Sequence, residues 1–227
     1  MIEVCAGTIG SVLAAHRGGA DRVELCSALS EGGLTPSAGM IRMAKECEGL
    51  KVHVLIRPRS GDFVYSIPEV RTMELDILNA RQLGADGVVI GALTADGDID
   101  LPVCRRLADA ARGMSITFHR AFDVCRRPYE ALEQIISLGC DRLLTSGQAS
   151  TAEEGIPVLG RLVRQSAGRI IIMPGSGVNP RNALHILRET GATEIHGSFR
   201  SSTQTTHPET DEASVSALRK LLSSVCP

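Results

Sequence analysis

What most constrains this chain is a rhythm of short β-branched runs alternating with longer amphipathic segments along its length. Strand-like runs fall at 2–5, 22–26, 52–57, 87–91, 115–119, 142–145, 170–173 and 194–196. The segments between them, such as 70–83, 101–111, 129–138 and 180–190, show helical periodicity and are long enough to cross between parallel strands. A weak internal repeat accompanies the rhythm. Gly19-Ala20-Asp21, Gly84-Ala85-Asp86, Gly139-Cys140-Asp141 and Gly191-Ala192-Thr193 each follow a helix and precede an even-numbered strand, where glycine supplies a left-handed C-cap. Repetition at every second strand is what a barrel built from quarter units shows. An open doubly wound sheet would carry a glycine fingerprint in its first βα turn, and Cys5-Ala6-Gly7-Thr8 does not supply one. The pattern therefore predicts an α/β fold, a single (β/α)8 TIM-barrel domain over residues 1–227. A polar stretch at about 201–210 precedes a last helix over 212–225, with Leu218, Leu221 and Leu222 on one face.

Composition removes several functions. Lys plus Arg total 24 against 26 Asp plus Glu, a net charge of -2 that lacks the basic excess of nucleic-acid binders. No uncharged apolar run approaches the roughly 18 residues that a membrane helix needs. The opening MIEVCAG runs straight into a strand with no basic or apolar leader, so the expected location is the cytoplasm. Seven scattered cysteines are then expected to be free thiols. The three lysines, Lys45, Lys51 and Lys220, all lie away from strand C-termini, which argues against Schiff-base or pyridoxal phosphate chemistry. No nucleotide or flavin is expected either.

In such a barrel the working residues sit at the C-terminal ends of the strands. Period-two alternation gives Glu3 and Cys5 one parity on the first strand, and Glu24 and Cys26 one parity on the second. Glu3 and Glu24 are expected to point inward, since outward they would meet apolar helices. The third strand ends in Arg57, Arg59 and Asp62, the fifth in His119, Arg120 and Asp123, and the eighth offers Glu194, His196 and Ser198. His16, His53 and His185 lie away from strand ends and read as structural. After the seventh strand, Gly175-Ser176-Gly177 leads into a helix and exposes amides suited to an anion, with Gly197-Ser198 able to complete the site. The plainer alternatives are a satisfied polar barrel core and glycines that merely turn the chain. Cys5 and Cys26 fall near the ends of neighbouring strands, where two thiolates would suit a soft ion such as Cu(I) or Zn(II), or simply pack as small hydrophobes.

GGADRVELC at 18–26, EGGLTPS at 31–37, IRPRSGDFVYS at 56–66, FHRAFD at 118–123, RLLTSG at 142–147 and MPGSGV at 173–178 resemble the CutC copper homeostasis protein family. The resemblance runs from Met1 to about Ser202. It implies a (β/α)8 barrel, a cytoplasmic protein, self-association as a homo-oligomer (dimer or higher), and a role in copper handling. It also implies Cu(I) ligands at Cys5 and Cys26.

Two functional readings follow. In the first, the protein binds Cu(I) between the Cys5 and Cys26 thiolates, with nearby Arg57 favouring deprotonation. In the second, a metal-independent enzyme acts on a small phosphorylated or carboxylated metabolite. There Gly175, Gly177 and Ser198 hold the anion, Arg57 and Arg59 clamp it, and Glu24, His119 and Glu194 serve as acid/base groups. The expected partner is accordingly a copper ion or a small anionic metabolite, not nucleic acid or membrane.

Overall fold

The computed structural model describes residues 1–200 and 209–224. Eight strands form one parallel sheet: β1 (Ile2–Ala6), β2 (Arg22–Leu25), β3 (Lys51–Leu55), β4 (Gly87–Ile90), β5 (Ser115–Phe118), β6 (Arg142–Thr145), β7 (Ile171–Pro174) and β8 (Ile195–Gly197). They lie in the order β7-β6-β5-β4-β3-β2-β1-β8, so the sheet curls until its two ends meet in a nearly closed barrel. Among the described residues eight α-helices cover the outside: α1 (Ile9–Arg17), α2 (Ala38–Lys45), α3 (Ile67–Gln82), α4 (Leu101–Ala110), α5 (Pro128–Ser137), α6 (Ile156–Ser166), α7 (Ala183–Thr190) and α8 (Glu212–Ser223). The expected (β/α)8 class is what the chain adopts.

The internal repeat has a structural job. Its glycines, Gly84 (φ +82°) and Gly139 (φ +78°) among them, adopt the left-handed conformation that ends the preceding helix. The aspartates that follow then tie strand to strand. Asp21 accepts a hydrogen bond from the Ile2 amide at 2.7 Å, Asp86 from Val52 at 2.8 Å and Asp141 from Ile116 at 2.8 Å. Each carboxylate thus caps the start of the odd-numbered strand and sets its register with the next even one. The fourth unit carries Thr193 instead.

Alternation along the strands divides the interior in two. Ile2, Val4, Val23, Val52, Val54, Val88 and Ile195 are fully buried and face the helices, each contributing about 1.5–3 kcal/mol of apolar burial. The other parity points into the barrel, in rows set by the ladders: Glu3 beside Arg22 and His196, and Cys5 beside Glu24, which neighbours His53. Gly87 completes that row because a Cβ there would stand 2.6 Å from the His53 ring.

Several predicted strands overrun the observed ones at their C-terminal ends, and the reason bears on function. Cys26 and His119 leave the regular ladder yet still donate their amides to Ala6 and Ile90 of the neighbouring strands, at 3.0 and 2.9 Å. Their side chains are thereby aimed by the sheet although the chain has begun to turn. The last helix buries Val215 and Leu218, and Asp211 caps it by accepting from the Ser214 amide. Residues 201–208, most of the predicted polar stretch, and Cys226 lie outside the described residues.

Candidate functional site

The lower barrel interior is an ion network. Arg22, 1% exposed, donates to Glu3 and Glu194, and Arg142 donates to Glu194 at 2.8 Å. Such a knot is stable only while every member is paired, because a buried charge that loses its partner is costly. From this knot a chain of contacts rises toward the mouth. Glu3 bonds His196 Nδ1 at 2.7 Å, and His196 Nε2 stands 3.7 Å from Glu24.

Above lies a cavity of about 360 Å³ at the C-terminal ends of the strands. Its floor is Cys5, Glu24 and His196, whose donor atoms all lie within 4.8 Å of one another. All three are buried. Burial would lower the His196 pKa, but the Glu3 hydrogen bond and the Glu24 charge outweigh it and raise it. Burial also works against the Glu3 carboxylate, yet the His196 hydrogen bond and the Arg22 charge hold it well below the usual range. Glu24 is pushed up by burial and by the charge of Glu3. A carboxylate behind a histidine whose other nitrogen faces a cavity is the arrangement that orients metal-ligating imidazoles.

Behind Cys5 sits Cys26, with the two Sγ atoms 3.8 Å apart. The thiols therefore approach one another, but they are not equivalent. Cys5 lines the cavity, whereas Cys26 is fully buried beside Leu55 and Val89 and makes its own contact with the Ala6 carbonyl at 3.7 Å. The hydrogen bond with Cys26, burial and the Glu24 charge raise the Cys5 pKa well above a thiol's ordinary value. That corrects the expectation that Arg57 favours a thiolate at this position.

Arg57 and His119 also line the cavity. Two guanidinium nitrogens of Arg57 donate to the carbonyls of Glu31, Gly33 and Gly61, while its Nε is buried without a partner. The Ala121 amide donates to His119 Nδ1, so in the neutral ring the proton is on Nε2, which is also buried and unpartnered. Leaving a buried donor unpaired costs about 1–3 kcal/mol. Burial and then the Arg57 charge lower the His119 pKa to about 3. In an NMR pH titration the His119 ring is expected to remain neutral until about pH 3; a midpoint in the ordinary histidine range, about 6.5, would contradict this environment.

Other expected residues are placed elsewhere. Glu194 lies in the lower knot, held by two arginines and away from the cavity, which removes it from acid/base work there. Arg59 is consumed outside the cavity by Glu69 at 2.5 Å and Asp62 at 2.9 Å, because Glu69 closes the capping box of α3. The Gly175 amide is spent on the Thr145 carbonyl, so it has no donor to offer an anion. Gly177 and Ser198 do line the cavity, as do Glu24, Arg57 and His119. Sequence reasoning singled out Cys5 with Cys26 and missed the grouping of Cys5 with Glu24 and His196. The signal was available in the barrel's closure, which puts the eighth strand beside the first.

The CutC family model matches residues 1–201. The chain belongs to the CutC family. A family protein CutC from Bacteroides thetaiotaomicron is 60% identical over 201 residues, covering 88% of this chain and 81% of that protein. The human copper homeostasis protein cutC homolog is 50% identical over 202 residues, covering 89% of this chain and 74% of its own. The crystal structure of CutC from Streptococcus agalactiae superposes with a TM-score of 0.84 at 38% identity, covering 87% of this chain and 98% of that one. A thiamine phosphate pyrophosphorylase from Pyrococcus furiosus shares the barrel alone, with a TM-score of 0.67 at 16% identity over 100% of this chain and 96% of that one.

Proposed function

We propose that this CutC-family chain binds a copper ion as cargo at the floor of the barrel mouth, through Cys5 with His196 and Glu24. The observation that carries the reading is the convergence of three buried donor atoms within 4.8 Å on the wall of a cavity. The donor set fits the ion: a thiolate and an imidazole suit Cu(I), and the carboxylate adds charge compensation. Glu3 orients His196 from behind. Cys26 supports the site from the next layer and offers a second sulfur behind the first. The names of relatives support copper handling over a metal-independent enzyme. Thiols must stay reduced for such chemistry, which suits a cytoplasmic setting.

The test is an anaerobic titration of the reduced protein with Cu(I) against a competing chelator. A single equivalent held by the native chain, and weakened by His196→Gln and by Glu24→Gln, is the expected result. Failure to withdraw copper even from a weak competitor overturns the proposal.

A further inference from the structure

We infer that the same cavity binds a small organic oxyanion, a carboxylate or a phosphate ester, through Arg57 Nε–H and His119 Nε2–H. Both donors belong to side chains that line the cavity, 6% and 5% exposed, and both are without partners among the described residues. Their positions are well supported. The Arg57 guanidinium and the His119 ring both pack on Phe63, each about 5.0 Å from its centroid. His119 is further backed by Gly91, where a Cβ would come within 2.5 Å of the ring. The Tyr65 hydroxyl lies beside the Arg57 guanidinium and competes for it, but neither Arg57 Nε–H nor His119 Nε2–H makes a regular hydrogen bond, and two such fixed donors select a ligand made of acceptors.

The surroundings set the rest of the ligand. Arg200 adds positive charge around the cavity, Arg120 lines it while paired with Asp123 at 2.7 Å, and the carboxylate that lines it, Glu24, faces His196 rather than Arg57. The balance favours an anion. Phe63, Leu29 and Val178 give apolar wall for an organic body, and a volume of about 360 Å³ holds a small metabolite. Backbone strain occurs here as well: Ser176 (φ +87°) and Phe199 (φ +45°) are non-glycine residues in left-handed conformations in the loops after β7 and β8. Strain of this kind is held where the surrounding structure overdetermines it, commonly at ligand sites.

This inference stands apart from the copper reading, so it is tested on reduced, chelator-treated protein. Inorganic phosphate, acetate and phenyl phosphate are titrated separately by calorimetry, with the His119 Nε2 and its proton followed by NMR. Binding of at least one anion, with the His119 signals moving in step, is expected. Phosphate compounds alone would place the ligand among phosphate esters, and acetate alone among carboxylates. Arg57→Lys keeps the charge but lacks Nε–H, and is expected to weaken binding about tenfold or more. If no anion moves the His119 signals at tens of millimolar, or if folded Arg57→Lys binds as well as the native chain, the inference is wrong. The native-protein NMR arm decides the matter even if Arg57→Lys fails to fold.

Discussion

Replacing Arg22 by methionine costs about 3–5 kcal/mol of folding stability at neutral pH. Arg22 is buried and serves two carboxylates at once, Glu3 on the neighbouring strand and Glu194 just before β8. Methionine fills much of the volume but leaves both acids short of a partner. Arg142 still holds Glu194 and His196 still holds Glu3, which keeps the loss below that of two isolated buried charges. The pH dependence identifies the cause. Glu3 has a depressed folded-state pKa, so its contribution is fully present above the unfolded carboxylate value of about 4.3 and fades as pH falls toward the folded one. In the variant that contribution is reduced, so the gap between native and variant stability is largest at neutral pH and narrows in acid. Urea unfolding at the two pH values measures it; a gap that does not change with pH would assign the loss to packing instead of charge.

The second large effect separates the two sulfurs. Cys5→Ser is expected to weaken Cu(I) binding by more than about 100-fold, beyond the range of changes to supporting residues. Cys26→Ala is expected to weaken it by less than about tenfold, because Cys26 is sealed from the cavity behind Cys5. Glu3→Gln falls between, at about 10–100-fold, since it touches the ion only through His196. The Cys5 thiol holds its proton well above the ordinary range, so uptake must release at least that proton. Affinity therefore rises at least about tenfold per pH unit near neutrality. Competition titrations of the three variants, repeated at two pH values, check every part of this. Equal losses for Cys5→Ser and Cys26→Ala would restore the two-thiolate site.

Much of the architecture was legible in the sequence because its causes are local. The βα rhythm, the glycine that ends every second helix and the aspartate that follows it in three of the four units all lie within a few residues of what they shape. The approach of Cys5 to Cys26 was legible too, from parity on adjacent strands. What parity cannot reveal is which atom meets the cavity. Arg59 reads as a mouth residue until α3 places Glu69 within 2.5 Å of it. Glu194 reads as an acid until Arg22 and Arg142 converge on it from the second and sixth strands. Both depend on contacts made across the barrel, and the grouping of Cys5, Glu24 and His196 does as well, since His196 lies 172 positions after Glu24.

Copper K-edge X-ray absorption on the reduced protein loaded with a single equivalent of Cu(I) tests the central claim most directly. One sulfur scatterer accompanied by nitrogen or oxygen, with an imidazole signature lost in His196→Gln, is the result this site predicts. Two sulfurs with no nitrogen or oxygen neighbour would contradict it and return the ion to Cys5 and Cys26.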